Sequence, residues 1–423
     1  MIEKFKRIWK IKDLRGRIFF VLAMLVVFRA AAHVPLPGIN TENLKAFLDG
    51  NQILGLLNIF SGGTMENFSL VLLGIAPYIT ASIIFQLLTM VVPQLEELSK
   101  EGESGQQKIN MYTRLSTVPL ALLQAFAMIK LLSQSQFDIM GTLDAFKYAS
   151  IMVTITAGTI FLMWIGELIS EKNIGNGISL LIFAGIVSAL PTTVQNAIVN
   201  YDPSQLYLYV MFVAMAIVTI IGVVIINEGQ RNIPVSYAKQ VRGNKTFGGN
   251  SSHLPLRVNM AGVIPIIFAI SVVLFPSMVA QLFVNGGGFM ASASRATIAL
   301  FNNQWFYGIV YFLLVFGFTY FYTAVIFHPQ KMAENLQRQG AFIPGIRPGK
   351  ETEKYLQSTM SKLLFSGAFF LGAIAVLPLI VQAFTGSQSL VIGGTGLLIV
   401  VSVAIEMAKQ IESQIKMHEY DRV

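Results

Sequence analysis

The sequence predicts an all-α polytopic membrane protein with ten transmembrane helices in two halves of five. Three observations support this prediction. Hydrophobic residues make up 54% of the 423 residues and charged residues only 12%, whereas soluble domains contain about 25% charged residues. Ten mostly apolar stretches are each long enough to cross a bilayer. The segments that connect them alternate between rich and poor in Lys and Arg.

Each of the ten stretches meets the length that the bilayer sets, because a helix needs roughly 20 apolar residues to cross roughly 30 Å of hydrocarbon. The mean hydropathy of the chain, +0.63, agrees with this number of membrane-embedded segments. The stretches cover residues 17–34, 68–92, 114–133, 149–169, 177–198, 205–226, 258–284, 305–327, 361–383 and 388–408.

The positive charges define an orientation. Of the 30 Lys and Arg residues, 25 lie in the N-terminal segment, after the last stretch, or in every second connection, with the adjoining ends of the stretches included. The other connections and the adjoining ends contain only Lys45, Lys130, Lys147 and Arg295, and Arg29 lies inside the first stretch. Because basic residues concentrate in cytoplasmic loops, we expect both termini on the cytoplasmic side of the membrane.

The composition argues against several kinds of active site. The chain has no cysteine, which excludes disulfides, thiolate metal sites and cysteine nucleophiles. Its four histidines are far apart, and neither a P-loop nor a GxSxG motif is present. We therefore expect no catalytic residue, no metal site and no cofactor, and the energy for any transport has to come from a partner or from the membrane potential.

Two halves are suggested by the proline-bounded segment 191–204, which separates the first five stretches from the last five. The predicted halves are residues 1–198 and 199–423. Gly74–Pro77 in the second stretch and Gly262–Pro265 in the seventh share a Gly-x-x-Pro pattern. Interruptions at matching positions of two halves often mark a transport pathway, although Gly and Pro are also common in membrane helices by chance.

Three connections are too long to be simple hairpins. The external segment 35–67 contains a short apolar stretch, too short to cross the membrane, within residues 51–64. Two cytoplasmic loops, 227–257 and 328–360, are rich in Lys, Arg, Gly and Pro.

Several long motifs resemble the SecY family, the channel subunits of protein translocases. Gly74–Leu88 resembles the first signature of this family, and Leu162–Ile186 (LMWIGELISEKNIGNGISLLIFAGI) resembles the second. Further similar segments are 230–239, 253–265 and 332–349. The resemblance extends from the first stretch to Glu406, and its motifs occur in order on the expected spans.

This resemblance implies two five-helix halves around a central pore, a short plug helix and a lateral gate toward lipid. It implies passage of unfolded secretory proteins and sideways release of membrane proteins, driven by the SecA motor or the translating ribosome. The implied partners are SecE, SecG, signal peptides, nascent chains and anionic lipids, with YidC and SecDF as further candidates. The alternative is a secondary transporter with a site at spans two and seven, which needs buried ionisable residues.

The family's pore constriction corresponds to six isoleucines. Within two pairs of them the residues are one helical turn apart and share a face. A ring of branched apolar side chains offers no fixed hydrogen bonds to a passing chain and can narrow enough to exclude ions. The alternative is that these side chains face lipid or core. The six are Ile75, Ile79, Ile178, Ile182, Ile264 and Ile399.

The resemblance assigns a plug to residues 51–64, and the alternative is an amphipathic helix on the outer leaflet. The plug candidates are Leu54, Leu57, Asn58, Phe60, Ser61, Gly62 and Gly63. Polar residues within spans are candidates for the lateral gate, although ordinary hydrogen bonds between helices, about 0.6 kcal/mol each, also explain them. These candidates are Thr80, Ser82, Gln86, Gln124 and Ser271.

Exposed basic residues in the two cytoplasmic loops are candidates for contact with the motor or the ribosome. Arg347 is the clearest, because two prolines and two glycines restrict the backbone around it. Asn232 and Gln240 stand where family members often have basic residues, which weakens this charge. Topology and anionic lipids also explain basic loops. The candidates are Arg231, Lys239, Arg242, Arg338, Arg347 and Lys350.

Overall fold

The computed structural model describes residues 11–36, 40, 43–44, 47–48, 58, 61, 63–133, 139, 144–199, 206–237, 240–242, 245–247, 251–284, 288–385 and 388–420. Five predicted site residues lie outside these ranges. They are Leu54, Leu57, Phe60, Gly62 and Lys239.

Long helices occupy all ten predicted stretches. Among the described residues, six helices are long and apolar enough to cross a bilayer, or seven if the pair α2 and α3, bent by 99°, counts as one span. The helices are α1 (Lys12–Ala32), α2 (Ala76–Val91), α3 (Pro93–Lys100), α4 (Glu103–Ser133), α5 (Ala145–Ser170), α6 (Gly177–Val199), α7 (Leu206–Glu228), α8 (Ile264–Phe283), α9 (Phe289–Asn302), α10 (Gln304–Ile326), α11 (Pro329–Arg338), α12 (Lys350–Thr385) and α13 (Gln388–Tyr420).

The second span starts later than the sequence predicts. Residues 64–75 form turns rather than helix, and α2 begins only at Ala76. The reason is backbone conformation, because Phe68 and Gly74 have φ values of +42° and +56°, which an α-helix cannot contain. The backbone of Phe68 accepts a hydrogen bond from the N–H of Leu36, so this segment pairs with the chain leaving α1.

The helices form two groups that meet along two contacts. Helices α1 to α6 pack on one another, and so do α7 to α13. Between the groups, α8 packs on α2 and α4, while α13 packs on α6. One continuous apolar core includes side chains from both groups. This grouping agrees with halves at 1–198 and 199–423, and the boundary itself stays a prediction.

In the described part of the chain, five short strands add a feature that the sequence analysis did not predict. They are β1 (Gln230–Tyr237), β2 (Gln240–Arg242), β3 (Lys245–Phe247), β4 (Ser251–Arg257) and β5 (Ala341–Phe342). They form an antiparallel sheet in the order β4-β1-β5 and a separate hairpin of β2 with β3. The all-α class therefore describes the spans, and the two predicted loops contain β-structure.

The three-stranded sheet joins the two loops through a small apolar core of its own. In β1, Ile233 and Val235 are buried while the residues between and before them are exposed, as expected for a strand with one covered face. These side chains pack with Leu256 of β4, with Ala341 of β5 and with Leu356 of α12. The loops at 227–257 and 328–360 are thus one packed unit.

The start of α1 and the end of α13 lie on the face that carries this sheet. His418 near the end of α13 lies 3.8 Å from the carboxylate of Asp13 in α1. Lys409 of α13 pairs with Glu228, the last residue of α7, at 3.0 Å. Because α8 leaves the sheet and spans about 30 Å at 1.5 Å per residue, α9 lies at the opposite face.

Candidate functional site

The six predicted ring isoleucines all belong to the same apolar core. Ile75, Ile79, Ile182 and Ile399 are buried, with at most 6% exposure. Ile178 and Ile264 are partly buried and pack against that core. They come from the start of α2, from α6, from the start of α8 and from α13, so this core is where the two groups of helices meet.

A narrow cavity of about 30 Å³ adjoins this core, enough for a water molecule. Three of the five predicted gate residues line it, namely Thr80 of α2, Gln124 of α4 and Ser271 of α8. Ser61 from the predicted plug segment also lines it. The sequence analysis missed the apolar lining residues, because nothing in an apolar span distinguishes a cavity-facing leucine from a core leucine. They are Met65, Leu72, Leu73, Ala76, Met128, Leu274 and Phe275.

The hydroxyl groups of the two gate candidates Thr80 and Ser271 form their hydrogen bonds within their own helices. Thr80 donates to the carbonyl of Ala76 and Ser271 to that of Ile267, each at 3.0 Å. Gln124 is buried, with 4% exposure. The hydroxyl hydrogen bonds therefore do not cross from α2 to α8, and they would persist if these helices separated.

The other two predicted gate residues lie elsewhere on α2. Gln86 donates through its amide nitrogen to the hydroxyl of Ser82 at 3.4 Å, one turn earlier. The Oε1 atom of Gln86 is buried, and it has no hydrogen-bond partner among the described residues. Neither residue lines the cavity in the part of the chain described, so the structure brings together three of the five gate candidates.

The plug candidates within the described ranges are Asn58, Ser61 and Gly63. The carbonyl of Asn58 accepts hydrogen bonds from the Gly63 N–H at 2.7 Å and the Ser61 hydroxyl at 2.9 Å. The Asn58 side chain donates to the carboxylate of Glu66 at 2.6 Å. Ser61 lies against Gly74, where a Cβ atom would be 2.9 Å from the Ser61 Cα. This end of the predicted plug therefore rests on the residue that precedes Ile75.

The basic candidates are divided between the two joined loops. Arg231 lies in β1, Arg338 ends α11, Arg347 lies just before α12, and Lys350 is the first residue of α12. All four are exposed. Arg242 lies in β2. Because β1 pairs with β5, both groups of basic residues are attached to the same sheet rather than to independent loops.

The loop that contains Arg347 is held by backbone geometry and hydrogen bonds. Gly345 and Gly349 have φ values of +83° and +98°. The Ile346 N–H donates to the Ile343 carbonyl at 3.0 Å, and the Thr352 hydroxyl donates to the Arg347 carbonyl at 3.0 Å. These restraints fix the turn that carries the guanidinium group, as the Pro/Gly pattern predicts.

The sequence analysis did not predict a network of polar side chains near the start of β1 and the end of β4. We call this network, formed by Asn227, Asn259, Ser402 and Lys409, the polar junction. The amide of Asn259 donates to the side-chain oxygen of Asn227 at 2.7 Å and to the carbonyl of Gly262 at 3.1 Å. Asn227 in turn donates to the hydroxyl of Ser402 at 3.2 Å, and Lys409 donates to the Asn227 carbonyl at 2.8 Å. The junction thereby links α7, the start of α8 and α13. A polar residue such as Ser402 within an apolar stretch was the available signal.

Comparisons with known proteins agree with this arrangement. The SecY family model matches residues 69–408. The chain belongs to the SecY family. The protein translocase subunit SecY of Corynebacterium glutamicum is 44% identical, with 98% of each chain covered. That of Vibrio cholerae is 40% identical, covering 98% of this chain and 94% of the relative.

Solved structures show the same fold at lower identity. A structure of a protein-conducting channel superposes with a TM-score of 0.62 and 18% identity, covering 93% of this chain and 91% of that one. Sec61 from a canine ribosome–channel complex gives a TM-score of 0.56 at 17% identity, with the same coverage. SecY and Sec61 channels have ten spans, so the predicted SecY fold of ten spans is confirmed. These findings do not support a secondary transporter.

Proposed function

We propose that this chain is the central pore subunit of a protein-conducting channel, which passes unfolded secretory proteins across the membrane. SecY family membership, with more than nine-tenths of each relative and of this chain aligned, is the observation that carries this proposal. The channel also releases apolar segments of membrane proteins sideways into lipid.

The ring of six isoleucines acts as the constriction. Burial of four of them at the meeting of the two helix groups supports this role. Apolar branched side chains form no hydrogen bonds with a passing chain and therefore select no particular sequence. A narrow apolar ring excludes water and ions while the channel is at rest. A passing chain would push the two groups apart at this core.

The lateral gate opens where α8 meets α2 and α4. The cavity lined by Thr80, Gln124 and Ser271 weakens packing along this contact, since a void loses the dispersion contacts of its lining. The segment ending at Ser61 closes the resting pore as a plug, and its contact with Gly74, the neighbour of the ring residue Ile75, supports this role. Signal peptides enter between α2 and α8.

The basic residues on the joined loops contact the SecA motor and the ribosome. Arg347 is the main contact because its turn is rigid. Further positive charge attracts acidic protein surfaces and the phosphates of ribosomal RNA, and it comes from Arg231, Lys239, Arg242, Arg338 and Lys350. The sheet faces the cytoplasm of a bacterial inner membrane, with both termini on that side. SecE and SecG complete the complex, anionic lipids bind its basic face, and YidC and SecDF cooperate with it.

The direct test places one cysteine at Ile79 in this cysteine-free chain and one in a secretory protein stalled during export. Oxidation should form a disulfide between them, since the stalled chain would pass through the ring. The matched control is a cysteine at Ile309 of α10, which is 61% exposed on the outside of the bundle. Absence of the adduct at Ile79, Ile182 and Ile264 in membranes active for export would disprove the pathway.

A further inference from the structure

Helix α9 has two unlike exposed faces. Phe289, Ala293, Ala296 and Leu300 follow the i, i+4, i+7, i+11 spacing of one helix face, and Phe289 and Leu300 at its two ends are 87% and 51% exposed. With Met290, which is 63% exposed, they form an apolar arc of about 120° at 100° per residue. We call these five residues the apolar arc.

The flank on the other side of α9 is polar. Ser292, Arg295 and Asn302 are exposed there, and the one apolar residue exposed among them is the small Ala299. Thr297 is the polar residue that falls within the apolar arc, and its hydroxyl donates to the carbonyl of Ala293 at 3.0 Å, so it is satisfied within the helix. Such a division of exposed residues is typical of a helix lying in the plane of a membrane interface.

The rest of the molecule fixes how α9 is oriented. Ala291 and Ser294 are buried on a third face, which lies between the arc and the polar flank. Phe301 of α9 packs edge-to-face on Phe306 of α10, with centroids 5.5 Å apart. The Arg295 guanidinium donates to the carbonyl of Val284, just past the end of α8, at 3.4 Å. The arc therefore cannot turn inward without breaking these contacts.

The position of α9 along the membrane normal is set by its neighbours. It connects α8 and α10, both apolar enough to span, and one residue separates its end from the start of α10. Trp305 in the first turn of α10 is 66% exposed, and tryptophan concentrates at the boundary between hydrocarbon and headgroups. An apolar arc at that depth, next to a helix that is apolar enough to span the membrane, meets lipid.

We propose that α9 is an interfacial anchor whose apolar arc inserts into the phospholipid leaflet on the face opposite the sheet. The polar flank faces the headgroups and water. Because α9 packs on α8, the anchor ties the far end of α8 to the lipid surface. This inference does not depend on the channel function.

The test uses single cysteines carrying a nitroxide spin label in the complex reconstituted into phospholipid vesicles. Labels at Phe289, Met290 and Leu300 form the test set, and labels at Ser292 and Asn302 on the polar flank are the matched controls. Oxygen partitions into lipid, whereas a charged nickel chelate stays in water. We expect the ratio of oxygen to nickel accessibility to be severalfold higher on the arc than on the polar flank.

Two results would overturn the proposal. Equal nickel accessibility on arc and flank would mean that the arc faces water. Immobile labels on the arc that neither reagent reaches would mean that a protein covers it. If a bulky residue cannot be replaced without loss of assembly, a label at Ala296, where the native side chain is small and exposed, distinguishes the same outcomes.

Discussion

Gly74 and Gly262 adopt the same left-handed backbone conformation, with φ of +56° and +62°, each two residues before the first residue of a helix. Pro77 and Pro265 then occupy the second position of α2 and α8. These helices are the second span of each predicted half, so the Gly-x-x-Pro pattern marks the same local structure twice. The surroundings differ, because Ser61 lies against Gly74 whereas the nearest atom to a Cβ at Gly262 would be a Glu406 carboxylate oxygen at 3.7 Å.

This difference gives a paired prediction for alanine at each glycine. Both Gly74→Ala and Gly262→Ala place a Cβ in the left-handed region, which costs about 1–2 kcal/mol. Gly74→Ala also brings a Cβ to 2.9 Å from the Ser61 Cα, so it should lower the melting temperature of the purified complex further. Equal decreases in melting temperature for the two variants would mean that the contact with Ser61 does not contribute to the destabilisation.

The polar junction predicts that Asn259→Ala destabilises the protein by about 1–3 kcal/mol, because it leaves the Asn227 and Gly262 acceptors without this donor. Asn335→Ala, on the exposed face of α11, is the control and should be nearly neutral. Thermal unfolding of the Asn227→Ala, Asn259→Ala and double variants measures the coupling free energy between these two side chains. Strict additivity would contradict a shared network.

The proposed ring predicts that Ile79→Ala with Ile182→Ala raises the ion conductance of the resting channel in planar bilayers. Each change removes three methyl or methylene groups from the core and widens the constriction, at a stability cost of about 2–5 kcal/mol per site. Ile309→Ala, at an exposed position on α10, should leave the conductance unchanged. A double variant that folds and stays impermeable would place the constriction elsewhere.

The proposed gate predicts that a short thiol-reactive cross-linker between cysteines at Gln124 and Ser271 stops both export and membrane insertion. The linker would hold α4 against α8, whose separation the gate requires. Each single-cysteine variant treated with the same reagent is the control and should remain active. Full activity of the linked protein, with cross-linking verified on a gel, would show that the chain leaves by another contact.

The rigid turn at Arg347 predicts that Arg347→Glu lowers SecA-driven export at least about tenfold, since a charge-assisted hydrogen bond contributes about 1.5–3 kcal/mol. The protein should still enter the membrane and assemble. Lys331→Glu, a charge reversal on α11, is the control. The assay is ATP-dependent import into inverted membrane vesicles, and equal losses in the two variants would mean that only the total loop charge matters.

Some of these features could be predicted because their cause is local. Ten apolar stretches and the alternation of positive charge follow from the bilayer, whose thickness and asymmetry act on each segment separately. The turn around Arg347 follows from its own prolines and glycines. The start of α2 was predicted eight residues too early, because nothing local indicates the positive φ of Phe68 and because Gly74 was interpreted as an interruption within the span.

By itself, the sequence determined the class of protein, the spans, the family resemblance and the residue types of the core. Only the tertiary structure decided which polar residues share a space. Thr80, Gln124 and Ser271 line one cavity while Ser82 and Gln86 do not, because helix rotation and crossing set which face meets a neighbour. The pairing of β1 with β5, which are more than 100 residues apart in the sequence, joins the two loops. The hydrogen bonds of Asn227 with Asn259 and Ser402 likewise connect residues that are distant in the sequence. Such contacts depend on the packing of distant segments, which no local pattern encodes.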